Sequence, residues 1–232
     1  MNGMVHIYCG DGKGKTTAAL GLALRAAGNG VPVVIARFLK NDGSGEVGIL
    51  ENVPGVYLFP CERQFGFTWT MSEEQKAEAG EYFTELFERA WEMGCKTVRE
   101  DVEGTGKADD CMAGENWGSD SVSDGSSRRD IGACGTGSSV SGSPASAPLT
   151  SPPCEIRALL VLDEIMAAVN SGFVANERLL AALDHRPDGL EVVLTGRGPS
   201  EELLSRADYV TEMRAVKHPY EKGVGARKGV EY

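Results

Sequence analysis

Apolar residues recur along this chain with two different periods, and these periods predict its secondary structure. Short apolar runs rich in β-branched residues are typical of buried strands, whereas apolar residues three or four positions apart are typical of helices. Strands are predicted at residues 5–8, 32–38, 56–59, 156–162, 191–194 and 209–212. Helices are predicted at residues 16–27, 72–93, 176–183 and 199–206. This alternation predicts an α/β fold with a mostly parallel sheet flanked by helices.

The longest predicted helix has both a start signal and an apolar face. Ser72 is a plausible N-cap, because acidic residues and Gln75 follow it directly. Six residues form an apolar stripe along the helix, and we expect them to pack in the core: Tyr82, Phe83, Leu86, Phe87, Ala90 and Trp91.

A glycine-rich loop joins the first predicted strand to the first predicted helix. In such a loop the backbone N–H groups turn toward a phosphate, Lys15 can reach across the phosphates, and the Thr16 hydroxyl can contact a bound Mg²⁺ or Mn²⁺. The candidate nucleotide-binding residues are Gly10, Asp11, Gly12, Lys13, Gly14, Lys15, Thr16 and Thr17. The loop departs from the GxxxxGK[ST] pattern, because Cys9 replaces the first glycine and Lys13 is an additional lysine.

Charged residues follow three other predicted strands. Asp163 and Glu164 end a run of leucine and valine, and an acid in this position can hold a metal ion directly or through water. Arg197 lies in a Gly-Arg-Gly turn, where its guanidinium could form a forked pair of hydrogen bonds with a phosphate or a carboxylate. Lys40 ends the second strand. We expect all four near the glycine-rich loop, because ligands bind at the carboxyl ends of parallel strands.

Residues 104–153 differ in composition from the rest of the chain. Gly, Ser, Thr, Asp and Pro dominate, and the apolar periodicity vanishes. Such a segment cannot bury enough apolar surface to offset an ordering entropy of about 1–2 kcal/mol per residue. We predict a mostly disordered insertion, on the sheet edge opposite the chemistry. Residues 1–103 and 154–232 are predicted to form one domain, because the loop lies in the first block and its acidic strand in the second.

Composition and charge exclude several classes of protein. The net charge of −11 argues against broad binding to nucleic acid or to anionic membranes, since both partners are polyanions. No apolar window is long enough for a membrane span, so a cytoplasmic location is expected. The six cysteines form no CxxC pair and have no histidine at ligand spacing, which favours reduced thiols over a zinc site.

The segment Phe65-Gly66-Phe67-Thr68-Trp69 places three aromatic side chains within five residues. It lacks clean helical or strand spacing. The residues alone leave two interpretations open, a flat apolar surface for a ligand or ordinary core packing.

Together these motifs resemble the P-loop type ATP:corrinoid adenosyltransferases. The resemblance covers nearly everything outside the insertion, and includes the unusual loop, since this family also lacks the first glycine and carries the extra lysine. The matching segments are GDGKGKTTAALGLALRA, ARFLK, GFTW, VLDEI, VVLTGRG, ADYVTEM and VKHPYEKGVGARKGVEY.

The resemblance implies a single RecA-like P-loop domain and a reaction. Co(I) of a reduced corrinoid would attack C5′ of ATP, which is bound in the reverse of the usual orientation, and inorganic triphosphate would leave. The reaction would serve adenosylcobalamin biosynthesis or salvage. The family also implies a homodimer and a flavodoxin-like reductant. Some members have an N-terminal helical extension over the corrinoid; without one, we expect the C-terminal segment or a partner subunit to cover it.

Residue roles follow from the same resemblance. Lys15 and Arg197 would be catalytic, and Phe67 and Trp69 would keep axial ligands off the lower face of cobalt. Thr16, Asp163 and Glu164 would hold the metal, with Glu164 the stronger candidate for direct contact. Three further residues are expected to bind the substrates: Lys40, Lys217 and His218.

Two other functions are compatible with the glycine-rich loop. An ordinary P-loop kinase or ATPase would attack the γ-phosphate and release ADP. A RecA-like nucleotide-switched module would bind nucleic acid or a protein partner, and its basic residues would have to come from a cluster near the C-terminus. The kinase or ATPase alternative has no use for the GFTW segment.

Overall fold

The computed structural model describes residues 3–40, 44–63, 65, 70–104 and 156–230. Six strands and six helices occur in this part of the chain, with at least one helix between successive strands, and a short 3₁₀ helix (Pro219–Lys222) follows the last strand. The first half contains β1 (Val5–Cys9), α1 (Lys15–Gly28), β2 (Val33–Arg37), α2 (Val47–Leu50), β3 (Val56–Phe59) and α3 (Glu73–Gly104). The second half contains β4 (Ala158–Asp163), α4 (Ile165–Asn170), α5 (Asn176–Asp184), β5 (Leu190–Thr195), α6 (Glu201–Leu204) and β6 (Tyr209–Glu212).

The described strands form one sheet in the order β3-β2-β4-β5-β1-β6. Every neighbouring pair is parallel. The predicted α/β fold with a parallel sheet is therefore confirmed. This order places β1, which leads into the glycine-rich loop, between β5 and β6, and it places β2 beside β4. The carboxyl ends of β1, β2, β4 and β5 consequently meet at one edge.

Both faces of the sheet are covered, which explains why β2, β4 and β5 are buried along their whole length. On one face, Ala19 and Ala23 of α1 pack against Val33 and Ile35 of β2. The other face belongs to the larger core cluster, which includes α3. Four residues of the predicted α3 stripe are buried in that cluster, namely Phe83, Leu86, Phe87 and Ala90. The other two, Tyr82 and Trp91, pack against it. The prediction of a core-facing stripe is confirmed.

The N-terminus of α3 has the predicted capping residue. The Gln75 amide donates to Ser72 Oγ at 3.2 Å, and the Ser72 amide donates to Gln75 Oε1 at 2.9 Å. These reciprocal bonds form a capping box.

The helices differ from the sequence prediction in their boundaries, and two helices were missed. α3 continues to Gly104 rather than ending near residue 93, because its buried face continues through Val98 beyond Gly94. Helices α2 and α4 were not predicted. They have four and six residues, which leaves little length for a helical period. α6 also has four residues, and it was predicted as a longer helix at residues 199–206.

The predicted insertion at residues 104–153 lies, apart from Gly104, outside the described residues, and its disorder stays a prediction. β4 begins at Ala158, at the amino-terminal edge of the sheet. Among the described helices, none combines the length and the apolar character needed to cross a lipid bilayer.

Candidate functional site

The glycine-rich loop turns away from β1 through two left-handed glycines, Gly10 (φ 103°) and Gly14 (φ 115°). A Cβ atom on Gly10 would lie 2.3 Å from the carbonyl oxygen of Met213, and one on Gly12 would lie 2.7 Å from it. Cys9, in contrast, is the last residue of β1 and pairs with Glu212 of β6. The strand therefore continues through the position where the common motif has its first glycine, so a side chain is accommodated there.

Lys15 is the first residue of α1, and its side chain lies within this loop. Its ammonium donates to the carbonyl oxygens of Gly10 at 2.8 Å and Gly12 at 3.0 Å, and the residue is buried. Burial lowers the pKa of Lys15, and the nearby Glu164 carboxylate opposes that shift. The loop thus holds a cation on its own carbonyls, where an incoming phosphate can compete for it.

Asp163 is the centre of a buried polar network at the end of β4. The side chain is 1% exposed. Its Oδ1 accepts hydrogen bonds from Thr16 Oγ1 at 2.9 Å and from Thr195 Oγ1 at 2.7 Å. The Lys40 ammonium donates to its Oδ2 at 2.6 Å and also contacts Thr16 Oγ1. This carboxylate is therefore fully paired.

Two residues beside this network have strained backbones. Leu39 (φ 52°) and Glu164 (φ 62°) are the non-glycine residues with positive φ in the described part of the chain. The Glu164 amide donates to Thr195 Oγ1 at 2.8 Å. Such conformations cost about 1–3 kcal/mol each and persist where the surrounding structure imposes them, often at functional sites.

The donor groups at this position suit a hard divalent cation. They are a hydroxyl and a carboxylate, with Glu164 adjoining. The ammonium of Lys40 lies between Thr16 Oγ1 and Asp163 Oδ2, which shows that a cation fits there. No cluster of three or more His, Cys, Asp or Glu side chains suited to a metal occurs among the described residues. A metal ion here would therefore need ligands from the phosphates as well.

Arg197 lies in the turn after β5. Gly196 and Gly198 both have positive φ, and a Cβ on Gly196 would lie 2.6 Å from Met166 Cβ. The side chain of Asn170, at the end of α4, donates to the carbonyl oxygens of Arg197 at 2.9 Å and Gly198 at 3.2 Å. The turn thereby brings the guanidinium of Arg197 to the loop, where its Nη2 is 3.5 Å from Asp11 O.

The chain that follows β6 packs onto the glycine-rich loop. The Met213 amide donates to Cys9 O at 2.8 Å, and the Gly12 amide donates to Met213 O at 2.7 Å. Asp11 Oδ1 accepts from the Ala215 amide at 3.1 Å, and this bond is the main reason why the pKa of Asp11 is lowered. The Lys13 ammonium donates to Val230 O at 2.5 Å.

A cavity of about 520 Å³ opens between the loop and this C-terminal segment. It is lined by Asp11, Glu212, Arg214, Ala215 and Val216. Further along the segment, Lys217 and His218 are exposed, and Thr17 is exposed in the first turn of α1.

The sequence placed Thr195 at this edge of the sheet but gave it no role, and it did not point to Asn170 or the contacts of Met213. Thr195 had a weak signal, because it is a polar residue that ends the apolar run of β5. The other two had none, since their contacts join elements that are distant in the sequence.

The aromatic segment is described only at Phe65. Its ring lies 5.5 Å from that of Tyr82 and 5.4 Å from that of Phe83, between centroids, so this residue packs against the core. Phe67 and Trp69 lie outside the described residues, and their roles stay predictions.

Comparison with known proteins identifies similar sequences over nearly the whole chain. Residues 1–101 and 145–232 match the family model for "ATP:corrinoid adenosyltransferase BtuR/CobO/CobP". The chain is 30% identical over 231 residues to the corrinoid adenosyltransferase CobA of Salmonella typhimurium, an alignment that covers 99% of this chain and 86% of the relative. It is 27% identical over 231 residues to a corrinoid adenosyltransferase of Pseudomonas aeruginosa, with 99% and 84% covered.

Proposed function

Because the chain belongs to the ATP:corrinoid adenosyltransferase family, and is thus an enzyme of the corrinoid adenosyltransferase class, we propose the following reaction. The enzyme transfers the 5′-deoxyadenosyl group of ATP to Co(I) of a reduced corrinoid, namely cob(I)yrinic acid a,c-diamide, cobinamide or cobalamin. The electron pair of Co(I) forms a bond to C5′, the C5′–O bond breaks, and triphosphate leaves with the electrons of that bond.

The observation that carries this proposal is the juxtaposition of Lys15, Thr16 and Asp163 at one sheet edge. A leaving triphosphate accumulates negative charge, and a preorganised cation in a sheltered loop stabilises it. Lys15 would contribute that charge by exchanging the carbonyls of Gly10 and Gly12 for phosphate oxygens.

Thr16, Asp163 and Glu164 would hold a Mg²⁺ or Mn²⁺ ion together with the triphosphate. When bound, the ion supplies positive charge to the polyphosphate. Asp163 is already oriented for this task by the hydroxyls of Thr16 and Thr195.

Arg197 and Lys40 are also proposed to bind the triphosphate. Arg197 reaches the loop backbone at Asp11, and Lys40 reaches the hydroxyl of Thr16. A guanidinium can pair with phosphate oxygens through two hydrogen bonds. Lys217 and His218, in the segment that follows the contacts of Met213, are proposed to bind the corrinoid.

Phe67 and Trp69 are proposed to shield the lower face of the corrinoid, because loss of an axial ligand makes reduction of Co(II) to Co(I) easier. Phe67→Ala or Trp69→Ala should then reduce turnover far more with Co(II) plus reductant than with chemically prepared Co(I). Equal losses in the two assays would contradict this role. A flavodoxin-like reductant, a homodimer and a cytoplasmic location complete the proposal.

The proposed reaction is tested by its products. The protein is incubated with ATP, Mg²⁺ and a reduced corrinoid; the light-sensitive alkylcobalt spectrum is followed, and inorganic triphosphate is measured. A Lys15→Ala variant is the control for contaminating activity. Formation of ADP and orthophosphate, without an alkylcobalt product, would instead support a kinase or ATPase.

A further inference from the structure

Lys40 occupies the position at which the metal is proposed to bind. Its ammonium contacts Asp163 Oδ2 and Thr16 Oγ1, two of the groups that would hold the ion. We propose that Lys40 competes with the divalent cation for this position, so that metal binds only by displacing it. The inference rests on the proposed metal role of Thr16 and Asp163.

The backbone before Lys40 is shaped to deliver this side chain. The amide of Phe38, which is fully buried, donates to the carbonyl oxygen of Asp163 at 2.9 Å. Leu39 then adopts a left-handed conformation, with φ 52°. Lys40 therefore starts from a fixed point beside β4 rather than from a free loop.

The chain beyond Lys40 is also tied to β2. The guanidinium of Arg37 is buried, and its Nη2 donates to Ser44 Oγ at 2.5 Å and to Glu46 Oε1 at 3.3 Å. The side chain of Lys40 itself is 25% exposed. Its long stem can therefore move toward solvent while its backbone remains in place.

Electrostatics gives this arrangement a purpose. A buried carboxylate such as Asp163 is strongly unfavourable without a cation, and Lys40 supplies one. A divalent ion that replaces Lys40 leaves the released ammonium near Lys15 and Arg197, both of which are also cationic. Lys40 contacts the hydroxyl of Thr16, the neighbour of Lys15, and Arg197 contacts the same loop at Asp11, so the three cations surround one loop.

A triphosphate offsets that repulsion, because its oxygens can ligate the metal and accept hydrogen bonds from the released ammonium of Lys40. Lys40 should therefore disfavour binding of the bare metal ion and favour binding of the metal together with the nucleotide. This makes Lys40 a specificity-determining residue for the form in which the metal enters.

The test measures Mn²⁺ binding to the full-length, nucleotide-free protein by electron paramagnetic resonance and calorimetry. Lys40→Gln should bind Mn²⁺ about tenfold more tightly than the wild type, a size within the usual range of coupling energies. Lys40→Arg keeps the charge and should remain as weak as the wild type. Lys76→Gln, which removes a lysine from an exposed pair with Glu73, is the matched control and should change nothing.

Thermal unfolding provides a second measurement. Without metal, Lys40→Gln should have a lower melting temperature than the wild type, since Asp163 loses its cation. Mn²⁺ should raise the melting temperature of Lys40→Gln by more than it raises that of the wild type. With triphosphate present, the advantage of Lys40→Gln in Mn²⁺ affinity should disappear.

The contrary outcomes separate this inference from the proposed function. If the wild type and Lys40→Gln bind Mn²⁺ equally tightly, and Asp163→Asn abolishes binding in both, the metal site is correct but Lys40 does not compete for it. If adding Asp163→Asn to Lys40→Gln does not change Mn²⁺ binding, the metal does not bind at Asp163, and the proposed metal site is wrong. Tight Mn²⁺ binding by Lys40→Arg would show that charge is not the cause.

Discussion

The two ends of the sheet each bury a carboxylate, and they satisfy it in different ways. At the amino end, Glu191 accepts hydrogen bonds from the Met4 amide at 2.6 Å and lies 2.6 Å from His6 Nε2. Nearby, Asp208 accepts one from the Val5 amide at 2.8 Å. At the carboxyl end, Asp163 is bound by two hydroxyls and the ammonium of Lys40.

The difference lies in the partners and in the backbone. Glu191 and Asp208 bind the residues that start β1, and no non-glycine residue with positive φ lies beside them in the described chain. Asp163, by contrast, is bound by side chains from α1, β5 and the chain after β2, and its strained neighbour is Glu164. The contacts at the amino end join strands β1 and β5, whereas those at the carboxyl end gather polar side chains beside a backbone conformation that has an energetic cost.

Of the two buried carboxylates, Asp163 is expected to have by far the larger effect on activity. Asp163→Ala should lower kcat/KM by about 10²–10³-fold, the size associated with loss of one preorganised electrostatic group. Initial rates of alkylcobalt formation measure it, with circular dichroism to verify folding. If Glu191→Ala caused an equal loss per folded molecule, the proposed contrast between the two ends would be wrong.

Glu191→Ala should instead affect stability. It leaves the part-buried Met4 amide without its acceptor, and loss of such a hydrogen bond costs about 0.5–1.5 kcal/mol of unfolding free energy. Urea denaturation measures this loss, while kcat per folded molecule should remain unchanged. Glu100→Ala is the comparison, because its pair with Lys96 is exposed and should contribute little. Equal destabilisation by both variants would argue against a structural role for Glu191.

Lys15→Met should abolish activity yet raise the free energy of unfolding at neutral pH, because burial lowers the pKa of Lys15. At pH values between this lowered pKa and the pKa of an unfolded lysine, near 10.5, the unfolded state binds more protons than the folded state. The wild type therefore gains stability as the pH rises through this range. The advantage of Lys15→Met should therefore shrink toward pH 10.5. Denaturation at several pH values, with exposed Lys96→Met for comparison, measures it; a constant difference would contradict the prediction.

The smallest effect is expected at Asn170. Asn170→Ala removes two hydrogen bonds to the Arg197 turn and should lower kcat/KM about threefold, consistent with about 0.5–1.5 kcal/mol for an exposed hydrogen bond. The effect should vanish in an Arg197→Ala background. Asn52→Ala removes a similar amide contact, to Gly48 O at 2.8 Å, far from the sheet edge, and should leave the rate unchanged. Additive losses in the double variant would show that Asn170 does not act through Arg197.

All six described strands were predicted from the sequence to within two residues at either end, and so were the glycine-rich loop and the acids after β4. These features are local, because strand periodicity, the turn at Gly10 and a charged residue after an apolar run depend on neighbours along the chain. α2 and α4 were missed, since helices of four and six residues show little periodicity, and the four-residue α6 was predicted as a longer helix at residues 199–206.

The sequence by itself determined which residue types reach the carboxyl edge of the sheet, and the tertiary structure decided which of them meet. Lys40 and Asp163 are 123 residues apart, and they touch because β2 lies beside β4 in the strand order. Met213 and Ala215 reach the loop because β6 pairs with β1, and that same pairing extends β1 through Cys9. Strand order and register arise from contacts across the whole sheet, and no local pattern of residues encodes them.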